Sequence, residues 1–178
     1  MSDLKVNEVK TDTIKNQAGT TALSIDSTGR TTFPQKIAFQ SKLTSNFNPG
    51  TASRTKIPFA TNNGADRVFN FGSGFDESNN RFQAPIDGLY SFIATAYVSS
   101  HSSSVYHILR LTLNDNATAL NEGYSIMVPN TSAYQSAHIH CLVNLTAGDT
   151  VDCRTQSASD AAYNIEFGES HFSGYLIG

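Results

Sequence analysis

Residues 89–98 (LYSFIATAYV) have the pattern of a β-strand, but neither face of that strand carries a charged side chain. Side chains alternate between the two faces of a strand, so Tyr90 and Phe92 share one face while Leu89 and Ile93 share the other. A strand with one face in solvent would alternate apolar with polar residues. This segment therefore predicts a strand that is covered on both faces.

Short strand-like segments recur from residue 36 onward, and each ends in a cluster of Gly, Asn or Pro. No segment has a helical pattern, and no alternation of strands with helices is present. The predicted fold class is therefore all-β, a ten-stranded jelly-roll sandwich. The ten strands are expected at residues 37–44, 55–60, 68–71, 81–84, 89–98, 105–114, 123–128, 133–145, 149–156 and 169–178.

The turn at residues 147–149 (AGD) predicts a hairpin between two antiparallel strands. The core face of that hairpin would be formed by Ile139, Cys141, Val143, Leu145, Val151 and Cys153. The opposite face carries His138, His140 and Leu142, which is a mixed face and not a solvated one. Further copies of the same sheet are the simplest cover for such faces, because a closed ring of copies buries identical patches. The sequence thus predicts an obligate homo-oligomer, with cover by the N-terminal segment as an alternative.

Residues 1–35 differ from the remainder, because isolated aliphatic residues alternate with polar ones and with glycine turns. These aliphatic residues are too sparse to form a core of their own. We therefore divide the chain into an N-terminal arm or stalk, residues 1–35, and a head domain, residues 36–178. The arm needs a partner in order to fold, and a disordered tail is the alternative.

The net charge of −3, with 15% charged residues, leaves no basic surface for nucleic acid or for an anionic membrane. No run of about 18 apolar residues is present, and residues 1–15 lack the apolar stretch of a signal peptide. We expect a protein that is made in the cytoplasm and is not inserted in a membrane. Cys141 and Cys153 are expected to be reduced thiols within the core.

The segment RFQAPIDGLYSF, residues 81–92, resembles the signature of the globular heads of complement-one-q proteins, which are relatives of the tumour-necrosis-factor ligands. Residues 57–59 (IPF), 145–151 (LTAGDTV) and 172–176 (FSGYL) resemble other parts of that family in the same order. The resemblance covers about residues 37–178. It implies a ten-stranded jelly roll that assembles as a homotrimer, with its inner sheet packed around the threefold axis.

The resemblance and the strand parity together place two sets of residues. The residues expected at the trimer interface are Leu89, Ser91, Ile93, His138, His140, Leu142, Phe172 and Leu176. The residues expected in the core are Phe82, Tyr90, Phe92, Cys141, Val143 and Val151. The head is not preceded by a collagen-like repeat, so the resemblance does not extend to a role in vertebrate immunity.

Residues 16–30 (NQAGTTALSIDSTGR) resemble the shaft and attachment segments found in fibres of tailed bacteriophages. An arm joined to a trimeric sandwich head is the layout of a virion appendage. The sequence therefore predicts a non-enzymatic structural and adhesion protein, located in the virion as a tail fibre, spike or head fibre. Its arm would bind other virion proteins, and its head would bind a host-surface glycan, a receptor or another virion protein. A capsid-decorating protein and a cellular lectin-like head are alternatives.

His138 and His140 share one strand face, a spacing that also occurs in metal-binding jelly rolls. A metal-dependent jelly-roll enzyme that uses both histidines is therefore another alternative. No Glu follows within a few residues to complete a ligand set, so we assign no catalytic residue and no metal ligand. In a trimer, six such imidazoles would meet near the axis, where they could bind an ion or act as a pH-sensitive contact.

Other binding chemistry is expected in the loops. The residues that we assign to ligand binding are Tyr124, Asn130, Tyr134 and Tyr163, whose rings and amide suit sugars or protein receptors. Asp76 and Asp115 are of the type that binds calcium in some relatives, but no EF-hand spacing is present. No cofactor is therefore predicted, and calcium or an axial ion has no support from the sequence.

Overall fold

The computed structural model describes residues 10–50, 54–61, 67–101, 105–115, 119–128, 134–157 and 163–178, without the side chains of residues 119–122. The chain forms two units, Met1–Lys36 and Ile37–Gly178. We refer to them as the arm and the head.

The arm contains a three-stranded antiparallel sheet of order β1-β2-β3, with β1 at Thr13–Lys15, β2 at Thr21–Ile25 and β3 at Thr31–Thr32. The turn between β2 and β3 is closed by Asp26, whose carboxylate accepts hydrogen bonds from the backbone N–H of Thr28 and Arg30. None of residues 10–36 is buried. The arm sheet therefore has no core of its own within these residues.

The head is built from strands alone, apart from one 3-10 turn at Glu77–Asn79, in the part of it that the structure describes. The strands are β4 (Ala38–Lys42), β5 (Thr55–Lys56), β6 (Phe69–Phe71), β7 (Phe75–Asp76), β8 (Arg81–Gln83), β9 (Gly88–Ser99), β10 (His107–Leu113), β11 (Ala119–Met127), β12 (Gln135–Leu145), β13 (Thr150–Ser157), β14 (Asn164–Ile165) and β15 (His171–Leu176). Each of the ten predicted segments overlaps one of these strands, although β9, β11 and β13 extend beyond the predicted bounds, and β7 and β14 are additional strands of two residues each.

The strands form two antiparallel sheets of six strands each. We call them the charged sheet, of order β11-β10-β13-β8-β7 with β5 beside β13, and the histidine sheet, of order β12-β9-β15-β4-β6 with β14 beside β9. Chain neighbours such as β9 and β10 lie in different sheets, which is the arrangement of a jelly roll. The predicted all-β jelly-roll fold is confirmed.

The predicted hairpin at residues 147–149 is wrong. β12 pairs with β9 in the histidine sheet, whereas β13 pairs with β10 in the charged sheet, so the turn carries the chain from one sheet to the other. The turn is fixed to the end of β8 instead, because the N–H of Gly148 donates to the carbonyl of Ala84 over 2.8 Å. The residues predicted to face the core on β12 and β13 nevertheless do so, since a strand in either sheet of a sandwich points one face inward.

The core between the sheets is centred on aromatic rings. The ring of Phe39 lies 4.9 Å from those of Phe75 and Phe172 and 5.3 Å from that of Phe82, measured between centroids. Each fully buried ring contributes about 1.5–3 kcal/mol by leaving water. The predicted core residues that lie in this cluster are Phe82, Tyr90, Phe92, Cys141 and Val151, while Val143 is half-buried and packs against it. Both cysteines are buried thiols, and burial raises the pKa of Cys153.

A glycine in β15 permits this packing. A Cβ atom at Gly174 would lie 2.6 Å from Cδ1 of Phe92 and 2.9 Å from Cε1 of Phe39. Both rings are fully buried, so neither can move aside without disturbing the cluster.

We expect Gly174→Ala to lower the free energy of unfolding by about 1–3 kcal/mol, because the added methyl overpacks the core. The measurement is denaturant-induced unfolding followed by circular dichroism. Gly168→Ala is the matched control, since no atom lies within 4 Å of its added Cβ, and its effect should stay within about 0.5 kcal/mol. Equal stabilities of the two variants would contradict the packing at Gly174.

Candidate functional site

The candidate site is the face of the histidine sheet that points away from the core, which we call the open face. Its central residues alternate along three strands with residues of the aromatic core. They are Leu89, Ser91, Ile93, Thr95 and Tyr97 on β9, Ser136, His138, His140, Leu142 and Asn144 on β12, and His171, Ser173 and Tyr175 on β15.

Strand register sets these side chains in rows across the sheet. In one row His138 lies beside Thr95, which lies beside His171. In the next row Ile93 lies between His140 and Ser173. Directly opposite side chains on neighbouring antiparallel strands are about 4.5–5.5 Å apart, so each row is a set of contacting groups.

Part of the open face is apolar and accessible. Leu142 is 53% exposed, Tyr175 47% and Ile93 39%, although all three lie within strands and not in loops. Tyr175 and Ile93 lie on the inner strands β15 and β9, and Leu142 lies on the edge strand β12. Phe71, on the edge strand β6 of the same sheet, is also exposed and stacks on Phe69. Monomeric soluble proteins rarely expose a large contiguous apolar patch, so a face of this kind marks an interaction surface.

Hydroxyl groups hold the imidazoles on the open face. Oγ1 of Thr95 lies 3.0 Å from Nδ1 of His138, and Oγ of Ser136 lies 3.0 Å from Nε2 of the same ring. Oγ of Ser91 lies 3.1 Å from Nε2 of His140. A hydroxyl both donates and accepts, so it satisfies either nitrogen of a neutral imidazole.

The strands that carry the open face have no acidic side chain. Strands β4, β6, β9, β12 and β15 contain no Asp or Glu. Lys42 on β4 lies opposite His171 in the register and adds a cation to one end of the face. Among the residues that the structure describes, no group of three or more His, Cys, Asp or Glu is placed to hold a metal ion.

Most residues assigned to the trimer interface lie on the open face. They are Leu89, Ser91, Ile93, His138, His140 and Leu142, and their contact with another copy stays a prediction. The assignment is wrong for Phe172, which is 1% exposed and belongs to the aromatic core. Leu176 is half-buried and packs against that core.

The error on β15 is a shift of parity by one residue. The residues of β15 that lie on the open face are His171, Ser173 and Tyr175. Large side chains occur on both parities near the end of the chain, since Tyr175 and Ile177 alternate with Phe172 and Leu176, so alternation alone did not separate them. The usable signal was Gly174, which shares the parity of Phe172, since a glycine within a strand often marks a close approach by another group.

The four residues assigned to ligand binding do not form one site. Tyr124 lies on β11 of the charged sheet, while Tyr134 precedes β12 and stacks on Tyr97 with 5.2 Å between centroids. The assignment is wrong for Tyr163, which is 0% exposed and lies 4.6 Å from the ring of His107 in the interior. Asn130 lies outside the described residues.

A second group of polar residues lies on the outward face of the charged sheet. Asp152 is fully buried and accepts hydrogen bonds from Nε of Arg154 and from the hydroxyl of Thr112, each over 2.6 Å. Asp115 forms ion pairs with Lys56, with Arg81 and with Arg154. A hydrogen bond from Lys56 and the three neighbouring cations hold the pKa of Asp115 below its ordinary value.

We expect Asp115→Asn to lower the free energy of unfolding at neutral pH by about 1 kcal/mol, a small value because solvent screens the half-exposed carboxylate. A depressed carboxyl pKa stabilises the fold above the unfolded-state value of about 4, and this contribution is lost as the pH falls below it. The difference between wild type and variant should therefore shrink in acid.

Urea unfolding at a series of pH values measures this difference. Glu169→Gln, at an exposed carboxylate, is the control and should show no comparable pH dependence. A difference for Asp115→Asn that persists unchanged in acid would contradict the ion-pair account.

No helix among the described residues is long and apolar enough to span a bilayer. The described head is a two-sheet jelly roll with an aromatic core, an apolar open face on one side and an ion-pair cluster on the other. This combination defines a class of β-sandwich modules that carry an interaction surface on a sheet.

The C1q domain model matches residues 38–177, and the chain belongs to the C1q domain family. The globular domain of the zebrafish complement 1qA protein is 17% identical with a TM-score of 0.57, over 80% of this chain and 98% of that chain. The crystal structure of murine APRIL at pH 5.0 is 10% identical with a TM-score of 0.59, over 80% of this chain and 99% of that chain. At these identities the two structures share the fold. The predicted family of the head is confirmed, while the likeness of the arm to phage fibres stays a prediction.

Proposed function

We propose that this chain is the subunit of a homotrimeric, non-enzymatic adhesion protein. In this proposal it is an appendage of a bacteriophage particle, a tail fibre, spike or head fibre. The arm attaches to other virion proteins, and the head binds a host-surface glycan or another virion protein.

The main support for a trimer is the apolar part of the open face. Ile93 and Tyr175 are exposed on inner strands of the sheet and Leu142 on its edge strand β12, on a face where solvated strands would carry polar residues. Three copies arranged around an axis shield such a face from water, and in this closed arrangement the open face of every copy is covered. Membership of the C1q domain family supports the same assembly, which the sequence resemblance implied.

The polar groups of the open face suit an interface and not a catalytic centre. Both ring nitrogens of His138 are within hydrogen-bond distance of a hydroxyl, and Nε2 of His140 is within reach of Ser91. A satisfied imidazole is a stable component of a buried surface. This arrangement supports a non-enzymatic role.

The arm supports attachment to a partner. Its three strands bury none of residues 10–36, so Ile14 and Phe33 stay exposed and find no cover among these residues. Short strands in this situation are stabilised when they pair with other chains. Sister chains of the trimer and a second virion protein are the two partners that the proposal names.

We expect Ile93→Asp to dissociate the trimer or to unfold it, because one unpaired carboxylate per subunit would be buried at a cost of several kcal/mol. Ile126→Asp is the matched control, since Ile126 has comparable exposure but lies on the outward face of the charged sheet. Light scattering after size exclusion gives the molar mass of each variant. A trimer of undiminished stability for Ile93→Asp would argue against the assigned interface.

For the virion role, we expect antibodies against the head to label purified particles of the phage that encodes this chain. Immunogold electron microscopy then locates the label. Label at the tail or on projecting fibres supports an appendage, whereas label spread over the capsid faces would show a decoration protein. A chain absent from purified particles would rule out the virion role and favour a cellular binding protein.

A further inference from the structure

A buried guanidinium lies on β10 of the charged sheet, next to the edge strand β11 and outside the ion-pair cluster. Arg110 on β10 is flanked in the register by Tyr124 on β11 and by Arg154 on β13. The residue is only 7% exposed. Its Cζ atom lies 5.6 Å from the centroid of the Tyr124 ring, and its Nη2 donates to Oε1 of Gln156 over 3.2 Å.

Arg110 differs from the neighbouring cations in its ion pairs. Arg154 and Lys56 form ion pairs with Asp152 and Asp115, but within the described residues no carboxylate forms an ion pair with Arg110. Its Nε is buried and has no hydrogen-bond acceptor there. Burial, and then the charge of Arg54, lower the pKa of Arg110. A buried charge is costly unless it is paired, so within the described residues this arrangement has the character of an incomplete site.

The surface around Arg110 has the chemistry of a site for an acidic sugar. Tyr124 is 47% exposed and Ile126 is 50% exposed, so a ring and an aliphatic side chain border the guanidinium at the surface. Guanidinium groups bind carboxylates through paired charge-assisted hydrogen bonds. Ligand sites combine apolar surface with a few placed polar groups, which here are Arg110 and Gln156.

We propose that Arg110, Tyr124 and Gln156 form a binding site for the carboxylate-bearing ring of an acidic glycan. The guanidinium binds the carboxylate, the amide of Gln156 binds a ring hydroxyl, and Tyr124 with Ile126 packs against the ring. The proposal rests on the proposed function in one respect, since it takes binding as the role of the head. It places that binding on the charged sheet, away from the open face.

The test with the wild-type protein uses oligogalacturonate, which carries one carboxylate per ring, and the same oligomer with every carboxylate methyl-esterified. Isothermal titration calorimetry of the full chain measures both affinities. We expect the free acid to bind at least ~10-fold more tightly than the ester, as one charge-assisted pair requires. Equal affinities, or no binding of the free acid at millimolar concentration, would overturn the proposal.

The test with variants separates a ligand site from a structural role. Arg110→Met should weaken oligogalacturonate binding by ~10-fold or more while raising the melting temperature by about 2–4 °C, because it removes a buried charge that no described carboxylate pairs. A structural arginine would show the reverse, a lower melting temperature. Arg81→Gln, which removes a paired guanidinium of the same sheet, is the control and should leave binding unchanged.

If Arg110→Met does not fold, two other measurements still test the binding site. Tyr124→Ala, at a half-exposed position, should also weaken binding of the free acid, and the ester comparison needs no variant. The proposed function fails separately, if the chain is monomeric or is absent from virions. A trimer that binds a neutral glycan and ignores oligogalacturonate would overturn only the acidic-sugar site.

Discussion

Burial of apolar surface on both sides of the histidine sheet is the constraint on which the rest of the structure depends. One side closes over the aromatic rings of Phe39, Phe92 and Phe172, and this closure determines which residues of β9, β12 and β15 point outward. The outward residues include Ile93 and Leu142, which remain accessible in the single chain. Exposed apolar side chains on a sheet face are unfavourable in water, so we infer that the alternation that builds the core also favours association through the open face.

The two outward faces of the sandwich have different chemistry, and we assign them different roles. The open face has hydroxyl-bonded imidazoles and no acidic residue on its strands, which suits contact with identical copies. The charged sheet concentrates arginine and aspartate, and one of its arginines lacks a carboxylate among the described residues. Self-association on one sheet leaves the other sheet free to bind a ligand. In the proposed function the head is therefore both a structural subunit and an adhesion module.

Much of the fold could be predicted from the sequence, because apolar alternation and turn residues are local properties. The ten segments were found for this reason, and β7 and β14 were missed because two residues carry no periodicity. Errors arose where the local pattern was the same for two arrangements. A glycine turn joins strands of one sheet or of two, and at the end of the chain Tyr175 and Ile177 alternate with Phe172 and Leu176. Arg110 gave no local signal, since its surroundings are set by register with β11 and β13.

The most direct test of this account is the mass of the full-length chain in solution, measured by sedimentation equilibrium at micromolar concentration. If the open face is covered by sister chains, the mass will be that of three chains and will not fall on dilution through this range. A single folded and soluble species with the mass of one chain would show that the protein is stable with its open face exposed to solvent, and would contradict the account.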